Sequence, residues 1–145
     1  MADETINKFH AGGYVALGVG GGVSDAGFAE ATTADFNSAV HSDYPDAKFA
    51  LKFTNATSAA TGQSINVYAQ KNNVIDTGSS TPAPDANFLN YYVGTFPIDT
   101  VITEQVQEFV AFDIPDDATY FIENQSGVTI SSWDLRAKAW TKGPL

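Results

Sequence analysis

Apolar and polar residues alternate along much of this chain with a period of two, the pattern of strands that keep one face in a core. The fullest instance covers residues 118–139. There Tyr120 and Ile122 alternate with Phe121 and Glu123, and Val128 and Ile130 with Thr129 and Ser131, on either side of the polar turn Asn124-Gln125-Ser126-Gly127. Two strand patterns around a short polar turn predict a hairpin, the anchor of an all-β fold. After Ser131 the apolar phase slips by one, to Trp133, Leu135, Ala137 and Ala139, which a single β-bulge at Ser131-Ser132 explains. Trp133 shares the Leu135 face and is expected in the core, whereas Trp140, beyond the last strand, is expected partly exposed at an edge.

Upstream the pattern recurs. Ala47, Phe49, Leu51 and Phe53 alternate with Lys48, Ala50 and Lys52 after the turn Asp43-Tyr44-Pro45-Asp46, so the lysines face water. Ile65, Val67 and Ala69 stand opposite Asn66, Tyr68 and Gln70, with Lys71-Asn72-Asn73 as a turn into Val74-Ile75. Residues 88–96 place Leu89, Tyr91 and Val93 on one face and Tyr92 on the other, before Pro97 ends the strand. Residues 106–114 alternate Val110, Phe112 and Ile114 against Phe109, Ala111 and Asp113. The Pro/Gly/Ser-rich residues 76–86 read as a surface loop, and residues 32–41 as one short helix or a loop. Six or more short strands without helical periodicity predict an antiparallel β-sandwich or jelly roll, with no repeat at a fixed period.

Residues 1–30 differ in texture. Gly12, Gly13, Gly18, Gly20, Gly21 and Gly22 surround the apolar run Tyr14-Val15-Ala16-Leu17. Two readings stand side by side: an N-terminal arm that gains order on a neighbouring subunit, or a first strand and loop of the sandwich that occupies residues 31–145. The glycine run is no phosphate cradle, since no Gly-Lys-Ser/Thr follows it.

The 145 residues suffice for one domain with a self-supporting core. A net charge of −10, with Arg136 the only arginine, speaks against nucleic-acid binding, which needs clustered cations. The absence of cysteine excludes disulfides and thiolate metal sites. An acidic N-terminus and no long apolar run predict neither classical secretion nor a membrane span. Asn55-Ala56-Thr57 and Asn124-Gln125-Ser126 match a glycosylation triplet by coincidence.

Catalytic chemistry is thin. His10 and His41 have no acid or second imidazole at ligand spacing, and no Gly-x-Ser-x-Gly elbow occurs. Asp113, Asp116 and Asp117, like Asp43 and Asp46, fit turn capping better than a calcium loop register. No enzyme activity, cofactor or metal is expected. The ten Phe, six Tyr and two Trp supply the core and leave some aromatic surface for stacking on a sugar or anchoring an interface.

The run from Tyr91-Tyr92-Val93-Gly94-Thr95-Phe96-Pro97, through Val110-Ala111-Phe112-Asp113-Ile114-Pro115, to Phe121-Ile122-Glu123-Asn124-Gln125-Ser126-Gly127-Val128-Thr129-Ile130, resembles small virion proteins of tailed bacteriophages. The resemblance covers about the last 55 residues and rests on turn motifs. It implies a jelly-roll-like capsid decoration or cement protein on the virion surface, made in the host cytoplasm. Its partner would be the major capsid protein, with self-association as a trimer. No active site is carried over. On this reading Phe9, Tyr14, Val15 and Leu17 in the N-terminal segment contribute partner contacts, as does Trp140 at the edge. The alternative expectation is a tail- or fibre-associated β-sandwich that binds a carbohydrate or receptor.

Overall fold

A computed structural model describes residues 5–9, 13–36, 45–59, 63–71, 91–100, 103–114 and 118–144. Nine strands make up this set: β1 (Thr5–Phe9), β2 (Val15–Val23), β3 (Phe28–Phe36), β4 (Asp46–Asn55), β5 (Ser64–Lys71), β6 (Tyr91–Pro97), β7 (Glu104–Ala111), β8 (Ala118–Gln125) and β9 (Ile130–Pro144). Among the described residues there is no helix, and so none that could cross a membrane.

The topology follows from one operation. Antiparallel pairing joins β2 to β9, β3 to β8, β4 to β7 and β5 to β6, so the chain is doubled on itself as a long ribbon. Rolling that ribbon brings β4 against β9 and β5 against β8. The result is two sheets, β2-β9-β4-β7 (sheet A) and β3-β8-β5-β6 (sheet B), packed face to face as an antiparallel jelly-roll sandwich. β1 continues the line of β2 along the far end of β9, pairing Thr5 with Pro144 and Phe9 with Trp140.

Alternation decides which side chains fill the space between the sheets. Phe49, Leu51, Phe53, Leu135 and Ala137 from sheet A meet Ile65, Val67, Phe96, Tyr120 and Ile122 from sheet B, all fully buried or nearly so. Phe49 stacks on Phe109 at 5.3 Å and tilts against Tyr120, while Phe109 reaches Phe96 at 4.5 Å, so one aromatic column ties the sheets together.

The expected C-terminal hairpin is corrected. β8 and β9 each show the anticipated strand pattern but belong to opposite sheets, and residues 126–129 carry the chain across the sandwich. Asn124 makes that crossing. Its buried amide donates to the carbonyls of Val23 (2.9 Å) and Val128 (2.8 Å), and its side-chain oxygen accepts the Ser126 N–H at 3.0 Å. Gly127, at φ +77°, supplies the left-handed residue the crossing needs. Both asparagines that would accept a glycan, Asn124 and Asn55, are buried.

The phase slip after Ile130 is a bulge, as its periodicity predicts. Thr54 pairs with Ser132 and Asn55 with Ile130, leaving Ser131 as the extra residue of β9, its hydroxyl donating to the Thr54 carbonyl at 3.0 Å. Trp133 is accordingly buried. β9 then runs on to Pro144, so Trp140 is inside a strand and 6% exposed, not a half-open edge residue. In β7 the inward phase is Gln105, Phe109 and Ala111, while Val110 and Phe112 face out.

Residues 15–23 form an edge strand of sheet A, and residue 30 lies within β3. The glycines of β2 have a steric reason. A Cβ on Gly20 would lie 2.6 Å from the Trp133 indole nitrogen, and one on Gly18 the same distance from the Ala31 Cα. Glycine lets the indole lie across the strand and lets β2 close onto β3. Residues 32–36 extend β3 rather than starting a helix. The loop at 76–86, the turn at 72–73 and Leu89 lie outside the described residues.

Candidate binding face

A closed sandwich with a filled core should bury its large apolar side chains, so those it leaves outside are informative. Among the described residues five large hydrophobics are exposed, and four of them, Val19, Val106, Val110 and Phe112, lie on the outer side of sheet A or at its edge. Register places them. Val19 pairs with Asp134, which faces Lys52, which faces Val106, so one outward row runs Val19, Asp134, Lys52, Val106 across four strands. The next rows read Ala16, Arg136, Ala50, Glu108, then Lys138, Lys48, Val110. Phe112 follows β7, its ring edge-on to Trp140 at 5.6 Å. Ala50, Lys52, Val106, Asp134 and Arg136 line a shallow depression in the middle of this face.

The polar groups on the face are paired with one another. Lys48 reaches Glu108 at 3.1 Å, Lys52 reaches Glu104 at 3.7 Å, and Arg136 grips Asp134 at 2.9 Å. Tyr14 joins them from the chain entering β2. Its hydroxyl donates to Glu108 at 3.1 Å, and the Lys138 ammonium sits 5.8 Å from its ring centre. Burial, then the hydrogen bond to Glu108 and that residue's charge, push the Tyr14 hydroxyl up to about 12. The hydrogen bond from Lys48 holds the Glu108 carboxyl below its usual range, helped by Tyr14 and opposed by a smaller desolvation effect.

These pairings leave the face with little net charge. Lys48, Lys52, Arg136 and Lys138 balance Asp46, Glu104, Glu108 and Asp134, four against four, so the chain's net −10 resides on its other residues. A neutral face with projecting valines and a phenylalanine, on an otherwise acidic body, is suited to burial against another protein surface.

The residues singled out from the sequence divide across this picture. Tyr14 belongs to the face. Val15 packs from a half-buried position against the core, and Leu17 is wholly inside it, so Leu17 has no surface to offer a partner. Trp140 contributes only through its contact with Phe112. Phe9 pairs with Trp140 through its backbone, and its side chain lies outside the described residues. His10, His41, Asp43, Asp116 and Asp117 lie outside them too. Asp46 and Asp113 do meet, but structurally, the Asp113 N–H donating to the Asp46 carboxylate at 3.0 Å. Among the described residues no three His, Asp or Glu side chains are grouped to hold a metal ion.

Sequence reasoning missed Val19, Val106, Val110 and Phe112 as surface residues. The available signal was Phe109 in phase with Ala111, obscured because that phase also carries Gln105 and Gln107. Gln105 is buried nonetheless, because its side-chain oxygen accepts the Asp99 N–H at 2.7 Å and its amide donates to the Asp99 carbonyl at 2.5 Å. Searches against protein-family models and against curated proteins find no match to this chain.

Proposed function

We propose that this chain is a structural protein of a tailed-phage virion, a decoration or cement protein that docks on the major capsid protein through the outer face of sheet A. The observation that carries the proposal is the gathering of Val19, Val106, Val110 and Phe112 on one charge-balanced face of an acidic molecule. The phage-like turn motifs of the C-terminal third support it, and so does the jelly-roll connectivity, an architecture found in capsid and lectin domains. Fold alone would not choose between those roles. Docking would act by adding buried area across subunit boundaries, so that opening the shell must also break these contacts, and repetition over a symmetric shell makes a modest affinity at each site effective. Self-association as a trimer belongs to the same reading.

Removing residues 1–22 does not isolate a contact segment, because it deletes β1 and nearly all of β2 from sheet A. The informative variant is Val106→Asp with Phe112→Ser, both exposed and outside the core. Co-sedimentation with phage heads stripped of the protein, alongside solution mass by light scattering, should show saturable binding of the native chain at symmetry-related sites. The double variant should keep its fold and bind at least about tenfold more weakly, the equivalent of one buried apolar side chain. Absence of native binding, or unchanged binding by the variant, would overturn the assignment.

A further inference from the structure

The outer face of sheet B is built differently from that of sheet A. Register sets Phe28, Glu123, Asn66 and Thr95 side by side in one row, and Glu30, Phe121, Tyr68 and Tyr92 in the next. Of the large hydrophobic residues in these rows, Tyr92 stands out at 58% exposed, while Tyr68 and Phe121, further along its row, are buried. Tyr92 meets Tyr68 edge-on at 5.8 Å between ring centres, and Tyr68 in turn meets Phe28 at 6.3 Å, which fixes the outermost ring on an aromatic base.

A connected polar chain borders that ring. The Tyr92 and Thr95 hydroxyls are hydrogen-bonded to each other, Thr95 donates to the Asn66 side-chain oxygen at 2.8 Å, and the Asn66 amide donates to Glu123 at 3.0 Å. The Gln125 amide donates to the other Glu123 oxygen at 2.7 Å. Burial, and then its hydrogen bond to Glu123, raise the Tyr68 hydroxyl above its usual value, so this network also reaches Tyr68.

We infer that this platform, with Tyr92 as its exposed ring and Asn66, Thr95, Glu123 and Gln125 as its polar border, binds a neutral carbohydrate. The inference does not rest on capsid docking, which uses the opposite side of the sandwich. A sugar ring presents a C–H face that packs on an aromatic ring, and hydroxyls that both donate and accept. Glu123 and the hydroxyls offer the complement: with the Asn66 amide engaged by Glu123 and Tyr68, the carboxylate and the Tyr92–Thr95 hydroxyl oxygens keep lone pairs to accept from sugar hydroxyls. The mutual hydrogen bonds hold these groups in place beforehand, so little side-chain freedom is lost on binding.

Charge excludes the other ligand classes. Among the described residues, the rows around Tyr92 carry Glu30 and Glu123 and no Lys or Arg, so phosphate, sulfate and nucleic acid are disfavoured. A hard cation would need several oxygens, but only one carboxylate joins the network. One exposed ring is also too little apolar surface for a protein interface of ordinary size.

The test is saturation-transfer NMR of the full chain with short neutral oligosaccharides of glucose, galactose, mannose and N-acetylglucosamine, followed by titration of any that respond. At least one should bind saturably, with signal strongest on the ring protons of one sugar face. Tyr92→Ala and Asn66→Ala should each weaken binding about tenfold or more, the loss of one stacked ring or one paired polar group. Circular dichroism should show both variants folded, and their binding to phage heads should match the native chain. Absence of transfer to every sugar, or binding that survives both substitutions, would overturn the inference.

Discussion

Asn124 shows how much one polar residue can decide. Its side chain joins the end of β2 to Ser126 and Val128 of the crossing through three hydrogen bonds, and its backbone exchanges bonds with Ala26 and Gly27. Replacing it with alanine removes the side-chain partner of the Val23 carbonyl and of the Ser126 N–H in a buried place, while the Val128 carbonyl keeps the Ser126 hydroxyl, at a cost of about 2 kcal/mol. Asn124→Asp keeps the shape but turns a carboxylate oxygen towards the carbonyls of Val23 and Val128, so at neutral pH it should cost more than alanine does. That aspartate is neutral only when protonated, and burial raises its folded-state pKa above the unfolded value. Its stability is therefore present at low pH and lost as pH rises through the folded pKa, the opposite of an ordinary paired carboxylate. Urea denaturation of both variants at mildly acidic and neutral pH measures the gap, which should narrow on acidification. A gap independent of pH would mean that the amide does not face those carbonyls. None of this was legible in the sequence, where Asn124 reads as one of four polar turn residues; periodicity finds strands but does not distinguish a turn within a sheet from a crossing between sheets.

At the scale of elements, legibility followed how strictly each strand keeps its alternation. β4 and β5 place their expected apolar sets inward, and the Ser131 bulge could be located from the phase of Trp133, Leu135 and Ala137 alone. β2 resisted because glycine carries no hydropathy signal: what fixes Gly18 and Gly20 is the bulk of Ala31 and Trp133 arriving from elsewhere. β7 misled because tertiary contacts, the Phe49 stack and the Asp99 backbone, hold Phe109 and Gln105 inside. The bulge yields a sharp prediction. Deleting Ser131 moves Trp133, Leu135, Ala137 and Ala139 to the solvent face or forces Ile130 and the crossing turn out of register, so the shortened chain should show no cooperative unfolding transition. Ser131→Ala removes only the hydrogen bond to Thr54 and should cost about 1 kcal/mol or less. Chemical denaturation of the pair decides the matter: a Ser131 deletion that unfolds cooperatively at near-native stability would mean that the extra residue does not set the phase of β9.

Among the described residues the exposed valines and Phe112 lie on a charge-balanced face while the net −10 resides elsewhere, and that division sets how the proposed docking should respond to salt. Electrostatic attachment of an acidic body to a basic surface would draw on the net −10 and weaken steeply with salt. Docking through the outer face of sheet A draws instead on Val19, Val106, Val110 and Phe112, among ion pairs already closed within the face. Charges on the far sheet stand beyond the roughly 10 Å interlayer spacing of a sandwich. At ~0.1 M salt, where the screening length is about 10 Å, they act only weakly on anything bound to sheet A. Raising salt to ~1 M shortens that length to about 3 Å and should change the affinity for stripped heads by less than about threefold. Co-sedimentation across that salt range reads this directly. A fall of orders of magnitude would move the docking surface to the acidic remainder of the chain, whereas a flat response, combined with loss of binding in the Val106→Asp, Phe112→Ser variant, would place the contact on the neutral face.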